Sequence, residues 1–232
     1  MPSGRRVLDV ADWNVLLGEG AVKFMDYVEV TLAGCPFRIF RISFSGELSY
    51  EIATPAGYGM VLWTALREAG MRHGIMPYGT EALHIMRAEK GFIMIGDETD
   101  GTVTPQDLDL GWAVSKKKPD FIGKRAQERA DLVRNGRKQL VGLRTEDPQM
   151  VLPDGIHAVK RVYEEIPMKT IGHVTSTYYS PSLGHSIAMG LVEDGLSRQG
   201  EWLDFPAAKG EVIRAQIVSP VFYDVKGEKQ NV

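Results

Sequence analysis

The sequence predicts an α+β sandwich followed by an all-β domain of barrel or sandwich type. Three observations carry that expectation. The amino-terminal part has period-two strands followed by two helical periodicities. A polar, glycine-containing stretch, Arg134-Asn135-Gly136-Arg137, interrupts the chain. Beyond it, short strand-like runs are punctuated by Gly and Pro at roughly even spacing. With 232 residues, 44% of them hydrophobic, the chain can build one large or two small domains. We place the boundary near residue 137, giving a domain over residues 1–137 and a second over 138–232.

Val28-Glu29-Val30-Thr31-Leu32 alternates with period two, as do parts of Phe37 to Phe44. Ala33-Gly34-Cys35-Pro36 between them is a turn sequence, so the pair reads as a hairpin. A third strand is expected over Leu48 to Ala53, after the break at Ser45-Gly46. Pro55-Ala56-Gly57 closes it, and Tyr58, Val61, Leu62, Ala65, Leu66 and Ala69 then recur at helical spacing. A second helix is expected from about Gly79 to Lys90 and a short one from Gly123 to about Val133. The strand-like runs that follow are Leu140 to Leu143, Val159 to Tyr163, Ile171 to Thr175, Ile187 to Val192 and Val212 to Val218.

Composition excludes several classes. Lys plus Arg is 27 against 30 Asp plus Glu, a net charge of −3, unlike a nucleic-acid-binding or polybasic membrane surface. No apolar run reaches the ~18–20 residues that cross a bilayer. Met1-Pro2-Ser3-Gly4-Arg5-Arg6 has no apolar core after its basic pair, so a signal peptide is not expected. A single cysteine, Cys35, cannot form an internal disulfide and argues for a reducing cytoplasm. The five histidines are scattered without metal-ligand spacing, so no metal site is expected. Neither a phosphate-binding loop nor a G-x-G-x-x-G after a strand is found, nor a G-x-S-x-G elbow.

The stretch from Phe40 to Ile52 is the most informative. On an extended strand Leu48, Tyr50 and Ile52 share one face, and Ser49 and Glu51 the other. A strand carboxylate can accept the two adjacent N–H donors of a flat heterocycle such as a pterin, and a ring such as Phe44 can stack on its face. The plainer alternative is that Glu51 is a solvated strand carboxylate and Phe44 a core residue. Lys116-Lys117-Lys118 is similarly open between an anion site and a solvated turn. Residue reading alone reaches an α+β protein with an attached β-domain and a candidate ligand site near Glu51.

Several motifs carry a resemblance that goes further. Phe44-Ser45-Gly46-Glu47-Leu48-Ser49-Tyr50-Glu51-Ile52 is similar to Y-T-G-E-x-x-[FY]-E-[IL], and Arg87-Ala88-Glu89-Lys90-Gly91 to R-L-E-A-G. Thr104-Pro105, Leu110-Gly111-Trp112-Ala113-Val114 and Phe121-Ile122-Gly123-Lys124 follow a middle signature. Gly172-His173-Val174-Thr175-Ser176, Ser180-Pro181-Ser182-Leu183 and Ile187-Ala188-Met189-Gly190 follow a carboxyl-terminal one. Along almost its whole length the chain thus resembles the glycine-cleavage T-protein, or aminomethyltransferase, family. Within it the wording is most similar to sarcosine oxidase alpha subunits, including Pro77-Tyr78-Gly79-Thr80-Glu81-Ala82, Asp100 to Pro105 and the ending Ser219-Pro220-Val221-Phe222-Tyr223-Asp224.

The resemblance implies a T-protein folate-binding fold, an α+β sandwich followed by a β-barrel. It implies tetrahydrofolate as the cofactor of this chain, with Glu51, Phe44 and Tyr223 as cofactor-binding residues. Phe44 stands where the family has a folate-contacting Tyr, and Leu83 where it has an Arg. No catalytic residue is expected here, because the family's catalytic Asp lies ahead of this chain's start. The implied function is the one-carbon-accepting part of a sarcosine oxidase, with formation of 5,10-methylenetetrahydrofolate. FMN, FAD and NAD would belong only to partner subunits or to domains outside this chain. The implied partners are beta, gamma and delta subunits, and the chain alone is expected to be inactive on sarcosine. The alternatives are a free-standing aminomethyltransferase or a non-catalytic folate-binding module. The iron–sulfur-assembly relatives carry K-G-C-Y-x-G-Q-E, but Asp120 stands at their cysteine position.

Overall fold

A computed structural model describes residues 7–9, 22–32 and 34–230. Residues 1–6, where no signal peptide is expected, lie outside them. The chain forms two compact units: Met1–Met86 with Lys226–Val232, and Arg87–Val225.

The first unit is built on a four-stranded sheet in the order β1 (Val7–Asp9), β2 (Tyr27–Leu32), β3 (Cys35–Phe40), β4 (Glu51–Ala53). The expected hairpin is β2–β3, in register from Tyr27 opposite Phe40 to Leu32 opposite Cys35. Its turn includes Gly34 at φ 77°, a left-handed conformation that glycine adopts at little cost. Alternation then sorts the side chains. Cys35, Phe37 and Ile39 point inward with Val28 and Val30, and Ile52, Tyr50 and Leu62 pack against them. β4 is shorter than the expected Leu48–Ala53 strand, because residues 44–48 form bends instead of ladder. Helix α1 (Gly59–Met71) follows Pro55, as the periodicity predicts, and helix α2 spans Thr80–Glu89. α1 contributes Leu62 to the sheet core, but none of its residues is fully buried, and Met60, Val61, Trp63 and Met71 are exposed.

The second unit is organised by a closed six-stranded barrel. Its strands are β5 (Lys138–Thr145), β6 (His157–Val159), β7 (Thr170–Ser180), β8 (His185–Glu193), β9 (Trp202–Pro206) and β10 (Val212–Val218), in the order β10-β5-β8-β7-β6-β9. Val141, Leu143, Val174, Ala188, Phe205 and Ile217 are among its core residues. Leu140, Ile187, Met189 and Leu191 belong to a second cluster with Ala88 and Leu108. The middle seven residues of β8 are therefore buried on both faces, and its sequence reads as a continuous apolar run. The expected helix over 123–133 is instead two single turns, α3 (Lys124–Gln127) and α4 (Ala130–Val133), because Arg129 is extended at φ −61°, ψ 142°. β9 is missing from the predicted runs: Asp204 and Pro206 break its strand pattern.

Candidate functional site

The sheet of the first unit presents an outward face whose residues are fixed by register. Glu51 on β4 lies directly opposite Phe40 on β3, and Phe40 directly opposite Tyr27 on β2. Side chains of directly opposed antiparallel residues share a face, so these three form one row. Tyr27 and Phe40 stack with ring centroids 5.6 Å apart. The next row is Glu29, Arg38 and Ala53, where Arg38 donates through Nε (3.1 Å) and Nη2 (2.8 Å) to Glu29 Oε1. Glu51 is exposed, and its carboxylate has no hydrogen-bonding or ionic partner among the described residues. A concavity of about 460 Å³ opens along this face, lined by Glu29, Thr31, Pro36, Arg38, Ala53 and Thr54 among others.

Phe44 sits half-buried in the bend between β3 and β4. Arg41 fastens that bend from inside. It is 1% exposed, donates to the carbonyls of Ser49 (3.4 Å) and Gln230 (3.0 Å), and lies 5.3 Å from the Tyr50 ring centroid. Gly46 N donates to Ser43 Oγ at 2.9 Å, closing the bend, and Lys229 approaches Glu47 to 3.5 Å. Leu83, at the position of the family's Arg, is half-buried on α2.

Tyr223 belongs to the second unit and is half-buried. Its backbone N–H and that of Phe222 both donate to Glu89 O at 2.9 Å. The surrounding Arg87-Ala88-Glu89-Lys90-Gly91 motif is a fastening. Lys90 Nζ donates to Asp224 O (2.6 Å) and Oδ2 (3.0 Å), and Ser180 Oγ donates to Glu89 Oε1. Gly91 sits at φ 67°, where an added Cβ would meet Pro220 O at 2.6 Å, so only glycine fits. Arg87 is fully buried. Its Nη1 donates to Glu98 Oε2 at 2.9 Å and its Nη2 to Ser176 Oγ at 2.7 Å. Glu98, also fully buried, accepts further from Met94 N, Thr175 Oγ1 and Ser176 Oγ.

A second concavity, of about 290 Å³, lies wholly in the second unit and is lined by Asp100, Thr102, Arg134, Lys138, His173 and Glu193 among others. Burial pushes the His173 imidazole below its ordinary value, Lys138 and His157 add to that, and Asp100 opposes it. Hydrogen bonds from Thr102 hold Asp100 below the usual carboxylate range. Burial would raise Asp107, but hydrogen bonds from Arg137 and Thr104 outweigh it and hold its carboxyl low. Lys116, Lys117 and Lys118 are exposed. Among the described residues, no group of three or more His, Cys, Asp or Glu is placed to hold a metal.

The first unit thus brings a carboxylate that is unpartnered among the described residues beside two stacked rings, which suits a flat heterocycle with adjacent N–H donors. The strand face on which Glu51 stands was legible in the sequence. Phe40 and Tyr27 were not, because their place beside it depends on a cross-strand register that only the hairpin turn sets. Arg41, Arg87, Glu98 and Lys90 were also missed as structural groups. The one signal that Arg87 and Lys90 gave was their place inside the Arg87-Ala88-Glu89-Lys90-Gly91 motif.

Comparison with known proteins bears on this geometry. The sequence model of the GCVT N-terminal domain matches residues 2–118, and that of the glycine cleavage T-protein C-terminal barrel domain matches residues 138–224. The chain therefore belongs to the glycine-cleavage T-protein family, and its fold is that of the family. It is 42% identical over 233 residues to the sarcosine oxidase subunit alpha of Corynebacterium sp. (strain U-96), covering 99% of this chain and 24% of that protein. It is 31% identical to an aminomethyltransferase of Halothermothrix orenii, covering 94% of this chain and 59% of the relative. The crystal structure of glycine cleavage system aminomethyltransferase T from Bartonella henselae superposes with a TM-score of 0.74 at 26% identity, over 88% of this chain and 53% of that one. The chain spans about a quarter of the length of the sarcosine oxidase alpha subunits it matches.

Proposed function

We propose that this chain is the tetrahydrofolate-binding, one-carbon-accepting part of a heteromeric sarcosine oxidase alpha subunit. The observation that carries the reading is Glu51: an exposed carboxylate without a partner among the described residues, beside stacked Phe40 and Tyr27 and next to a ligand-sized concavity. These residues fit a pterin, whose edge offers adjacent N–H donors and whose ring offers a flat face. Phe44 and Tyr223 are proposed as further contacts. Tetrahydrofolate, when bound, supplies the nitrogen nucleophile that takes up a one-carbon unit at the oxidation level of formaldehyde, giving 5,10-methylenetetrahydrofolate. The chain's own residues bind and orient that acceptor. Holding two reactants in attacking geometry is worth about 7–11 kcal/mol of barrier.

Oxidation of sarcosine is assigned to flavin and nicotinamide groups on beta, gamma and delta subunits or on domains outside this chain. The greater identity to sarcosine oxidase alpha subunits, 42% against 31% for an aminomethyltransferase, favours this over a free-standing aminomethyltransferase. Exposed Met60, Val61 and Trp63 on α1 are surface of the kind that subunit contacts cover, which supports membership of an assembly. We place the boundary between the folate-binding part and the barrel part at residues 137 and 138. A single, buried cysteine fits a cytoplasmic setting.

The test is the fate of the one-carbon unit. The assembled oxidase turning over sarcosine with tetrahydrofolate should yield 5,10-methylenetetrahydrofolate. Glu51→Gln should divert the product towards free formaldehyde while leaving the rate of sarcosine oxidation unchanged. An unaltered product ratio in the variant would count against the reading.

A further inference from the structure

The register of the sheet places a platform beside Glu51 that the motif containing Glu51 does not include. Phe40 is the residue directly across from Glu51, and Tyr27 stacks on Phe40 at 5.6 Å with its ring inclined by 30°. Both rings lie on the outer face and are half-buried. One register step along, Arg38 stands over the Tyr27 ring at 6.0 Å and spends Nε and Nη2 on a single oxygen of Glu29. Its side chain is still 53% exposed, and a guanidinium has five N–H donors. The third outward neighbour in that row is the short side chain of Ala53, which leaves the sheet surface low between Glu51 and the concavity of about 460 Å³.

Resting on the reading of Glu51 above, we propose that Phe40 and Tyr27 form the stacking platform for a planar heterocycle held at its edge by Glu51, and that the ligand's anionic tail runs over Ala53 towards Arg38. The row spacing sets the length. Two residues along a strand advance about 6.6–6.8 Å, so Arg38 lies about a ring's length beyond the row that would hold the ring, in reach of a substituent on it. The ligand class is a reduced pterin with an aryl-carboxylate extension. Phe44 lies in the bend before β4 and not in the Glu51 row, so the platform is separate from the ring expected from the motif.

The experiment is calorimetric titration of the complete protein carrying this chain with tetrahydrofolate and, separately, with a tetrahydropterin lacking the tail. Phe40→Leu should weaken both ligands about two- to tenfold, as expected for loss of one stacking surface, and Phe40→Tyr should restore both. Tyr27→Leu is the second variant should Phe40→Leu fail to fold, and should act in the same direction. Arg38→Met should weaken tetrahydrofolate and leave the tail-less pterin unchanged. Full affinity in the Phe40 and Tyr27 variants, with Glu51→Gln weakened, would overturn the platform and leave the folate reading standing. Full affinity in all of them, Glu51→Gln included, would remove both. Equal weakening of the two ligands by Arg38→Met would overturn the proposed direction of the tail.

Discussion

His173 takes its proton affinity from what surrounds its ring. It sits within the Gly172-His173-Val174 motif, yet its ring faces Lys138, His157 and Asp100 at the rim of the smaller concavity, with Arg134 and Glu193 also lining it. Burial first, and Lys138 next, depress its proton affinity below the ordinary value of 6.5. A histidine depressed in the folded state binds fewer protons there than in the unfolded chain. Its contribution to stability is whole above pH 6.5 and is lost as pH falls through the depressed folded value. Thermal melts should therefore show a midpoint that drops as pH falls below 6.5. His173→Gln should flatten that slope while leaving the midpoint near neutrality little changed. An unchanged slope would assign the acid sensitivity to another group.

At the scale of elements, the Arg87-Ala88-Glu89-Lys90-Gly91 motif explains how the end of α2 is joined to the barrel. Arg87 and Glu98 form a buried ion pair bonded to Ser176 of β7, and Glu89 and Lys90 hold Ser180 and Asp224. Removing one partner of a buried pair leaves an uncompensated charge and costs about 3–5 kcal/mol. Arg87→Met should lower the stability of the second unit by that amount in denaturant unfolding. Replacing both partners by apolar residues of similar size should recover much of the loss. A cost below about 1 kcal/mol for Arg87→Met would mean that the pair is solvated, as surface pairs are. Elements were legible in proportion to how clean their periodicity is. β2, α1, β8 and β10 carry strong patterns and lie within a residue or two of their expected places, whereas β3 takes in Cys35 and Pro36 of the expected turn and ends at Phe40, four residues before Phe44. β9 does not, because Asp204 and Pro206 interrupt its apolar positions. β4 begins late because Arg41 draws the Ser49 carbonyl to itself and the preceding residues bend around Gly46 at φ 80°.

For the whole molecule, the presence of an α+β part and of a β-barrel was visible in the change from mixed strand and helix periodicity to short strand-like runs, and the family match rests on motifs spread along the chain. What the sequence could not supply is which side chains meet across strands. Period two puts Glu51 on one face, but only the β3–β4 register puts Phe40 beside it and Arg38 one step further on. The central claim is that Glu51 reads the edge of tetrahydrofolate. Its most direct test is calorimetric titration of tetrahydrofolate into the complete protein carrying this chain, unaltered and with Glu51→Gln. Exchanging a charged acceptor for an amide that turns a donor towards a donor costs about 1.5–3 kcal/mol, so the account predicts affinity weakened roughly ten- to a hundredfold. Glu47→Gln, whose carboxylate is already paired with Lys229, should bind nearly as the unaltered protein does. Equal affinity with Glu and with Gln at position 51 would contradict the claim.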